Sequence, residues 1–301
     1  MKIRIISDLH LDVNQDYPLM LPNKDRGTFT LIAGDTAGHY RDYIDWIKDN
    51  CPYGILVAGN HLVYNNYGLS VQDLKADLRQ YFPESCTIRF LDNDVYTFID
   101  SNIMIIGSTL YTNCHLNGIP TYRGKSLIER GLNDFRLGKY FNGEKLVRLN
   151  GDHHVQMFNE SFEFIKKTVE ENPTKDIIIV THHAPSNQSI ATCYKDSKVN
   201  CGYASNLGGF IIQHPNIKCW VHGHVHNYNN YLIGNCRVIS NPRGYVRYGE
   251  DYNWNPMFYL DTDTWETSFD EEWFKREISE EEKQKRKELD DAYNTLFGAM
   301  I

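Results

Sequence analysis

The chain has 301 residues, 41% hydrophobic and 23% charged, with a net charge of −8. That suffices for a sizeable core in one large domain or two small ones, while the acidic balance argues against an extended nucleic-acid groove, which needs clustered Lys and Arg. Seven cysteines with no Cys-x-x-Cys pair exclude a disulfide framework or a thiolate zinc site, and no apolar run approaches the ~20 residues of a membrane span.

The N-terminus opens directly on a strand rather than a signal peptide, so a cytoplasmic protein with reduced thiols is expected. Residues 3–6 read as a buried strand leading into Asp8-Leu9-His10, and Phe29–Ala33 leads into Gly34-Asp35. Tyr40, Tyr43, Ile44 and Ile47 stand at helical spacing over residues 39–50, and Cys51-Pro52 ends that helix. Residues 55–58 then run into Gly59-Asn60-His61, and a second helix spans residues 69–81 on Leu74, Leu78 and Tyr81. Residues 95–99 and Ile103–Ser108 form a hairpin across Asp100-Ser101-Asn102.

From 111 to 150 the chain is polar, aromatic and Gly-studded without clear periodicity, which predicts a long functional loop or insertion. A long helix follows, with Asp152 as its cap and Val155, Phe158, Phe162, Ile165 and Val169 as its apolar stripe. Residues 177–180 lead into Thr181-His182-His183, and Ile217–Val221 into Gly223-His224-Val225-His226. Short strands are expected at 228–233, Cys236–Ser240 and 257–260. A charged helix begins at Ser279, whose hydroxyl and Glu282 make a capping box, with Leu289, Tyr293, Leu296 and Met300 on one face. We therefore divide the chain into one domain over 1–270 and a C-terminal helix over 271–301 that packs on it or extends from it.

Five short motifs thus stand at the carboxyl ends of five strands, the edge where open α/β sheets bind ligands. A set of Asp, Asn and His donors without thiolate suits first-row divalent ions such as Mn, Fe or Zn. Side chains alternate along an extended segment, so Asp8 and His10 are expected to reach one ion together, and His224 and His226 to lie side by side. Asp35 can give one oxygen to each of two ions, Asn60 offers a neutral amide oxygen, and His182 completes the set. These donors exceed the roughly four of a tetrahedral ion but suit two ions ~3.5–4 Å apart, the recurrent device for displacing a leaving group at phosphorus through a bridging hydroxide.

In its order DxH, GD, GNH, HH, GHxH, the sequence resembles the calcineurin-like metallophosphoesterase superfamily over roughly positions 1–245. The resemblance implies a four-layer α/β/β/α sandwich of two mixed β-sheets. It implies that Asp8, His10, Asp35 and His226 hold one ion and Asp35, Asn60, His182 and His224 the other, with Mn preferred over Fe or Zn. His61 is then the general acid for the leaving oxygen. Residues 107–112, 133–136 and 241–245 also resemble bacterial and phage members. Two positions depart from the family pattern: Gly38 and Leu62 stand where carboxylates that orient the catalytic histidine are common, and His39 lies close to the first of them.

His183 and His222 read as buried hydrogen-bonding neighbours of the ligands, whereas His115, His153, His154 and His214 read as solvated surface residues. Arg136 and Arg243 are candidates to clamp a substrate phosphate, or else form ordinary ion pairs. Tyr64, Tyr67, Tyr111 and Tyr122 are candidates for the floor of a ring-binding pocket, or else ordinary packing. The expected function is hydrolysis of a small phosphodiester or nucleotide. A nuclease, and a phosphoesterase-fold scaffold without turnover, are the alternatives. A complete ligand set together with His61 argues against the scaffold.

Overall fold

The computed structural model describes residues 1–19, 21, 27–64 and 67–271. The expected C-terminal helix, with Ser279 and Glu282, lies outside the described residues. Two six-stranded mixed sheets form the body. In the first, β1 (Lys2–Ile6), β2 (Phe29–Ala33), β3 (Gly54–Val57) and β4 (Ile88–Phe90) run parallel. The antiparallel strands β13 (Phe258–Asp261) and β14 (Thr267–Phe269) extend it beyond β1. In the second, β6 (Ile103–Ser108), β9 (Asp176–Thr181), β10 (Ile217–Val221) and β12 (Cys236–Ser240) run parallel. Its edges are the antiparallel β5 (Asp94–Thr97) and β11 (Asn229–Ile233).

The central strands are buried along nearly their whole length, which is why they read as continuous apolar runs rather than alternating ones. Ile3, Ile5, Leu31 and Val57 of the first sheet pack in one cluster with Ile105, Ile178, Val180 and Val221 of the second. That cluster is the seam between the sheets. The opposite faces, carrying Ile32, Leu56, Ile106 and Ile179, pack with helical residues Ile47, Leu74, Leu78, Phe158 and Ile165. The result is the expected α/β/β/α sandwich. The hairpin of β5 and β6 is also as expected.

Three local readings need correction. The segment over 39–50 is a 3-10 turn at Tyr40–Tyr43 that passes into α1 (Ile44–Asn50). By contrast α2 (Val71–Tyr81) matches the expected helix to within two residues at its start, where Ser70 and Asp73 form a reciprocal capping box. The stretch from 111 to 150 is not a structureless loop: it contains α3 (Thr121–Gly131), α4 (Asp134–Leu137) and a hairpin of β7 (Lys139–Phe141) with β8 (Leu146–Arg148). Only Gly124 and Ile128 of α3 are buried, so its apolar stripe is too sparse to register as a period. Gly124 is small because a Cβ there would run into the Cys114 carbonyl. Finally, α5 (Gly151–Glu171) is capped by Asn150, whose side chain accepts the His153 N–H at 2.9 Å, and Asp152 sits in its first turn.

Candidate metal centre and active site

All five motifs leave parallel strands at the same edge, three from the first sheet (β1, β2, β3) and two from the second (β9, β10). Their geometry is not extended. Asp8 (φ 51°), His10 (44°), Asp35 (48°), His224 (68°) and His226 (46°) all occupy the left-handed region that non-glycine residues avoid. Each costs on the order of 1 kcal/mol or more, and such strain collects where surrounding structure enforces a functional geometry. It also overturns the pleat argument for the His-x-His pair: His226 turns to Asp8 and His10, while His224 turns to Asp35 and His182.

Among the described residues, three groups of donors lie close enough to hold an ion: Asp8, His10 and His226; His10, Asp35 and His61; Asp35, His182 and His224. Asp35 and His10 each belong to two of them. The motif glycines permit this crowding, since a Cβ on Gly59 would collide with Asp35 Oδ1 and one on Gly34 with the His182 ring.

The donor chemistry fits a cation. His182 Nδ1 lies 3.0 Å from the Ala33 carbonyl and donates to it, so the neutral ring presents a lone pair at Nε2. That lone pair faces Asn60 Oδ1 at 2.9 Å and Asp35 Oδ2 at 3.3 Å. In the same way His226 Nδ1 donates to Glu250 Oε2 at 2.6 Å, and its Nε2 faces His10 Nε2 at 2.9 Å and Asp8 Oδ1 at 3.6 Å. Acceptors brought against acceptors are stabilised by a positive charge between them, a proton or a metal ion. Buried His224 Nε2 has no hydrogen-bond partner among the described residues.

The charges respond accordingly. Burial raises the Asp35 carboxyl, but His182 and His61 outweigh it and hold Asp35 well below the usual carboxylate range. Burial lowers His182, yet the Asp35 and Asp8 carboxylates carry it up to about 9. His10 and His224 are pushed well below the usual imidazole range, by burial first and then by neighbouring histidines.

His61 sits over this cluster. Its ring stacks on Tyr64, with centroids 4.0 Å apart, and lies 4.4 Å from the His10 ring. Its backbone N–H donates to Asp35 Oδ1 at 3.0 Å, and its Nε2 is 3.0 Å from the Tyr245 hydroxyl. The two departures from the family pattern find answers here. Leu62 is a buried core residue, and the Gly38 N–H donates to Asp12 at 2.9 Å. His39 is half-buried beside Tyr67, with no part in the site. The nearby carboxylate of Asp134, in α4, touches His61 only through Tyr64. Its Oδ2 accepts from the Tyr64 hydroxyl at 3.0 Å and from Asn60 Nδ2 at 3.3 Å, which fixes the Asn60 carbonyl toward His182.

Asp134, Tyr203, Tyr245 and Glu250 were not among the sequence-derived site residues. The first and third fall within stretches that carried the finer resemblance. Glu250 had no signal beyond the preceding Gly249, which takes φ 71°. Tyr203 stacks on His224, with ring centroids 4.5 Å apart.

Other candidates lie elsewhere. Arg136 is exposed and donates to the Arg130 carbonyl, and it does not line the cavity over the site. Arg243 is buried and donates to the Tyr17 carbonyl. The four tyrosines do not form one patch: Tyr64 lines the cavity, Tyr111 is in the core, and Tyr122 is 74% exposed. His183 and His222 are buried hydrogen-bonding neighbours, as expected, against the Thr109 carbonyl and the Ser189 hydroxyl. His115 is exposed, and His153 and His214 are half-buried. His154 is a correction: it is 1% exposed, its Nε2 accepting the Thr112 N–H at 3.1 Å.

A family model described as calcineurin-like phosphoesterase matches residues 1–228. The chain belongs to that family. It is thus a metal-dependent phosphoesterase by family, with the two mixed sheets of that fold. An uncharacterized protein, L509, of Acanthamoeba polyphaga mimivirus is 30% identical over 216 residues, 69% of this chain and 72% of the relative. Among solved structures, the phosphopantetheinyl hydrolase of Mycobacterium tuberculosis superposes with a TM-score of 0.61 at 16% identity, over 82% of this chain and 90% of that one. A putative 5'-nucleotidase from Staphylococcus aureus, in complex with alpha-ketoglutarate, gives 0.46 at 16% identity over 96% of this chain and 58% of its own. Among the described residues, no helix is long and apolar enough to cross a membrane.

Proposed function

We propose that this phosphoesterase uses two divalent ions, Mn preferred, to hydrolyse a small phosphodiester or nucleotide in the cytoplasm. Asp8, His10, Asp35 and His226 would hold one ion and Asp35, Asn60, His182 and His224 the other. Bound there, the ions would activate water and neutralise charge building on the phosphate oxygens. His61 is positioned to give a proton to the leaving oxygen as the P–O ester bond breaks and a new P–O bond forms from water. Tyr245 and the stacked Tyr64 restrict the His61 ring, and Asp134 restrains both Tyr64 and Asn60.

The observation that carries this reading is that Asp35 stands in two overlapping donor groups at once. Metal analysis under saturating Mn should therefore find two ions per chain. Asp35→Asn should weaken both sites, whereas His10→Ala should mainly empty the one shared with Asp8 and His226. A single tightly held ion in the wild type would overturn the binuclear assignment. Turnover is to be compared on bis-p-nitrophenyl phosphate, p-nitrophenyl phosphate and single-stranded DNA. The small diester should be fastest, and faster cleavage of DNA would refute the preference.

A further inference from the structure

Above the metal centre lies a cavity of about 360 Å³. Its floor is Asp35, Asn60, His61, His224 and His226. One wall is Leu132 and Tyr203, and another is the segment carrying Ile190, Ala191, Tyr194 and Val199. The walls thus set apolar and aromatic side chains beside the polar Ser197 and Asn200, suited to the body of an organic ester substituent. Beyond Asp35, the charged side chains lining it are Asp134 and Glu250, both acidic. No Lys or Arg stands among its described lining residues. The arginines one would enlist as phosphate clamps are committed elsewhere, Arg136 to the Arg130 carbonyl and Arg243 to the Tyr17 carbonyl. Lys195 and Lys198, on the exposed segment that includes Tyr194 and Val199, do not line the cavity either.

A phosphate in the cavity outside the reach of the ions would thus meet two carboxylates and no lysine or arginine of the described lining. Resting on the phosphoesterase reading above, the geometry points to a site selective for singly charged phosphodiesters with uncharged ring-bearing or alkyl substituents, and against substrates carrying a second phosphate. Selectivity here comes from repulsion as much as from fit, the cheaper route where the attractive contacts are generic. Asp134 and Glu250 serve two ends: each restrains a residue of the centre, and each sets the sign of the field that an incoming substrate meets.

The test compares two esters with the same scissile bond: thymidine 5'-(p-nitrophenyl phosphate), and the same compound bearing a 3'-phosphate. In the Mn-loaded wild type the extra phosphate should lower kcat/KM on the order of tenfold, through KM rather than kcat. The gap should shrink as salt is raised, because partly exposed charges are screened. Ala191→Lys, which places a cation on the wall, should narrow it to about threefold or less. Calorimetric binding of the corresponding 5'-methyl esters to the slow His61→Ala variant should show the same ratio in Kd, a readout that does not depend on turnover. Equal kcat/KM for the two esters in the wild type, with both hydrolysed, would overturn the charge selection and leave the phosphoesterase assignment standing. Hydrolysis of neither ester by protein shown to hold two ions would overturn the assignment itself and this inference with it.

Discussion

Two single residues make the chemistry testable. His61 has its backbone anchored by Asp35 and its ring held by Tyr64 and Tyr245, so its side chain can be removed while the seven residues assigned to the two ions keep their donors. General acid catalysis contributes typically ~10²–10⁴-fold, in proportion to how poor the leaving group is. His61→Ala should therefore keep its metals and lose most activity on nucleotide or alkyl esters, with a far smaller loss on p-nitrophenyl esters, whose leaving group is stable as an anion. Equal losses on both ester types would assign His61 to phosphate binding instead. Glu250 acts at one remove, since its Oε2 accepts from His226 Nδ1 and from the Tyr245 N–H at 2.7 Å. Carboxylates that orient a ligating histidine are commonly worth about 10–100-fold in metal affinity. Glu250→Gln should weaken the ion assigned to Asp8, His10 and His226 by about tenfold and spare the other, as read by metal titration. Equal weakening of both ions would refute that division of labour.

At the scale of elements, α5 shows how a helix carries a stability switch. Its apolar stripe was evident in the sequence, but its first turn was not. Asn150, one residue ahead of Gly151, is the cap, and Asp152 competes for the role in sequence alone because both side chains can accept a backbone N–H. Asn150→Ala should cost ~1 kcal/mol in denaturant unfolding, and Asp152→Ala less. His154, on the next turn, is buried and accepts the Thr112 N–H, and burial lowers its pKa to about 3. Its folded value lies below the unfolded one, so the unfolded chain binds the extra proton. Stability from this group is complete above about pH 6.5 and is lost as pH falls toward 3, by at most ~1.4 kcal/mol per unit. His154→Gln should flatten that part of the stability profile, and an unchanged slope would show that other groups carry it.

The same contrast runs through the rest of the fold. Strand-end motifs such as Asp8-Leu9-His10 were legible because buried parallel strands leave continuous apolar runs and the donors follow at once. Asp134, Tyr245 and Glu250 were not, because each reaches the site through tertiary packing, from α4 or from the segment after β12. Nor does side-chain alternation foresee the left-handed backbone that sends His224 and His226 in opposite directions.

Across the whole molecule, the candidate centre joins the two sheets. Asp8, Asp35 and Asn60 belong to the first, while His182, His224 and His226 belong to the second. The body of the sandwich is held by the apolar seam, but at this edge the sheets meet through polar backbone contacts. Ser7 pairs with Pro242, the Gly244 N–H donates to the Asp8 carbonyl at 2.9 Å, and Asn241 Nδ2 donates to the Ile5 carbonyl at 2.8 Å. Five left-handed residues and several facing acceptors are concentrated there, an arrangement that a bound cation would stabilise. Ions bound across it would pin one sheet to the other and stabilise the native state in proportion to occupancy. At a free ion concentration about 100 times Kd, one site contributes ~2.7 kcal/mol, and for a protein of this size that raises Tm by roughly 4 °C. Mn added to chelator-treated protein should give that shift. Asp35→Asn should nearly abolish it, because both sites lose a donor. His10→Ala should retain part of it, because the group of Asp35, His182 and His224 is intact. A full Mn-induced shift in Asp35→Asn, measured by thermal unfolding at matched free Mn, would place the stabilising ion elsewhere on the molecule.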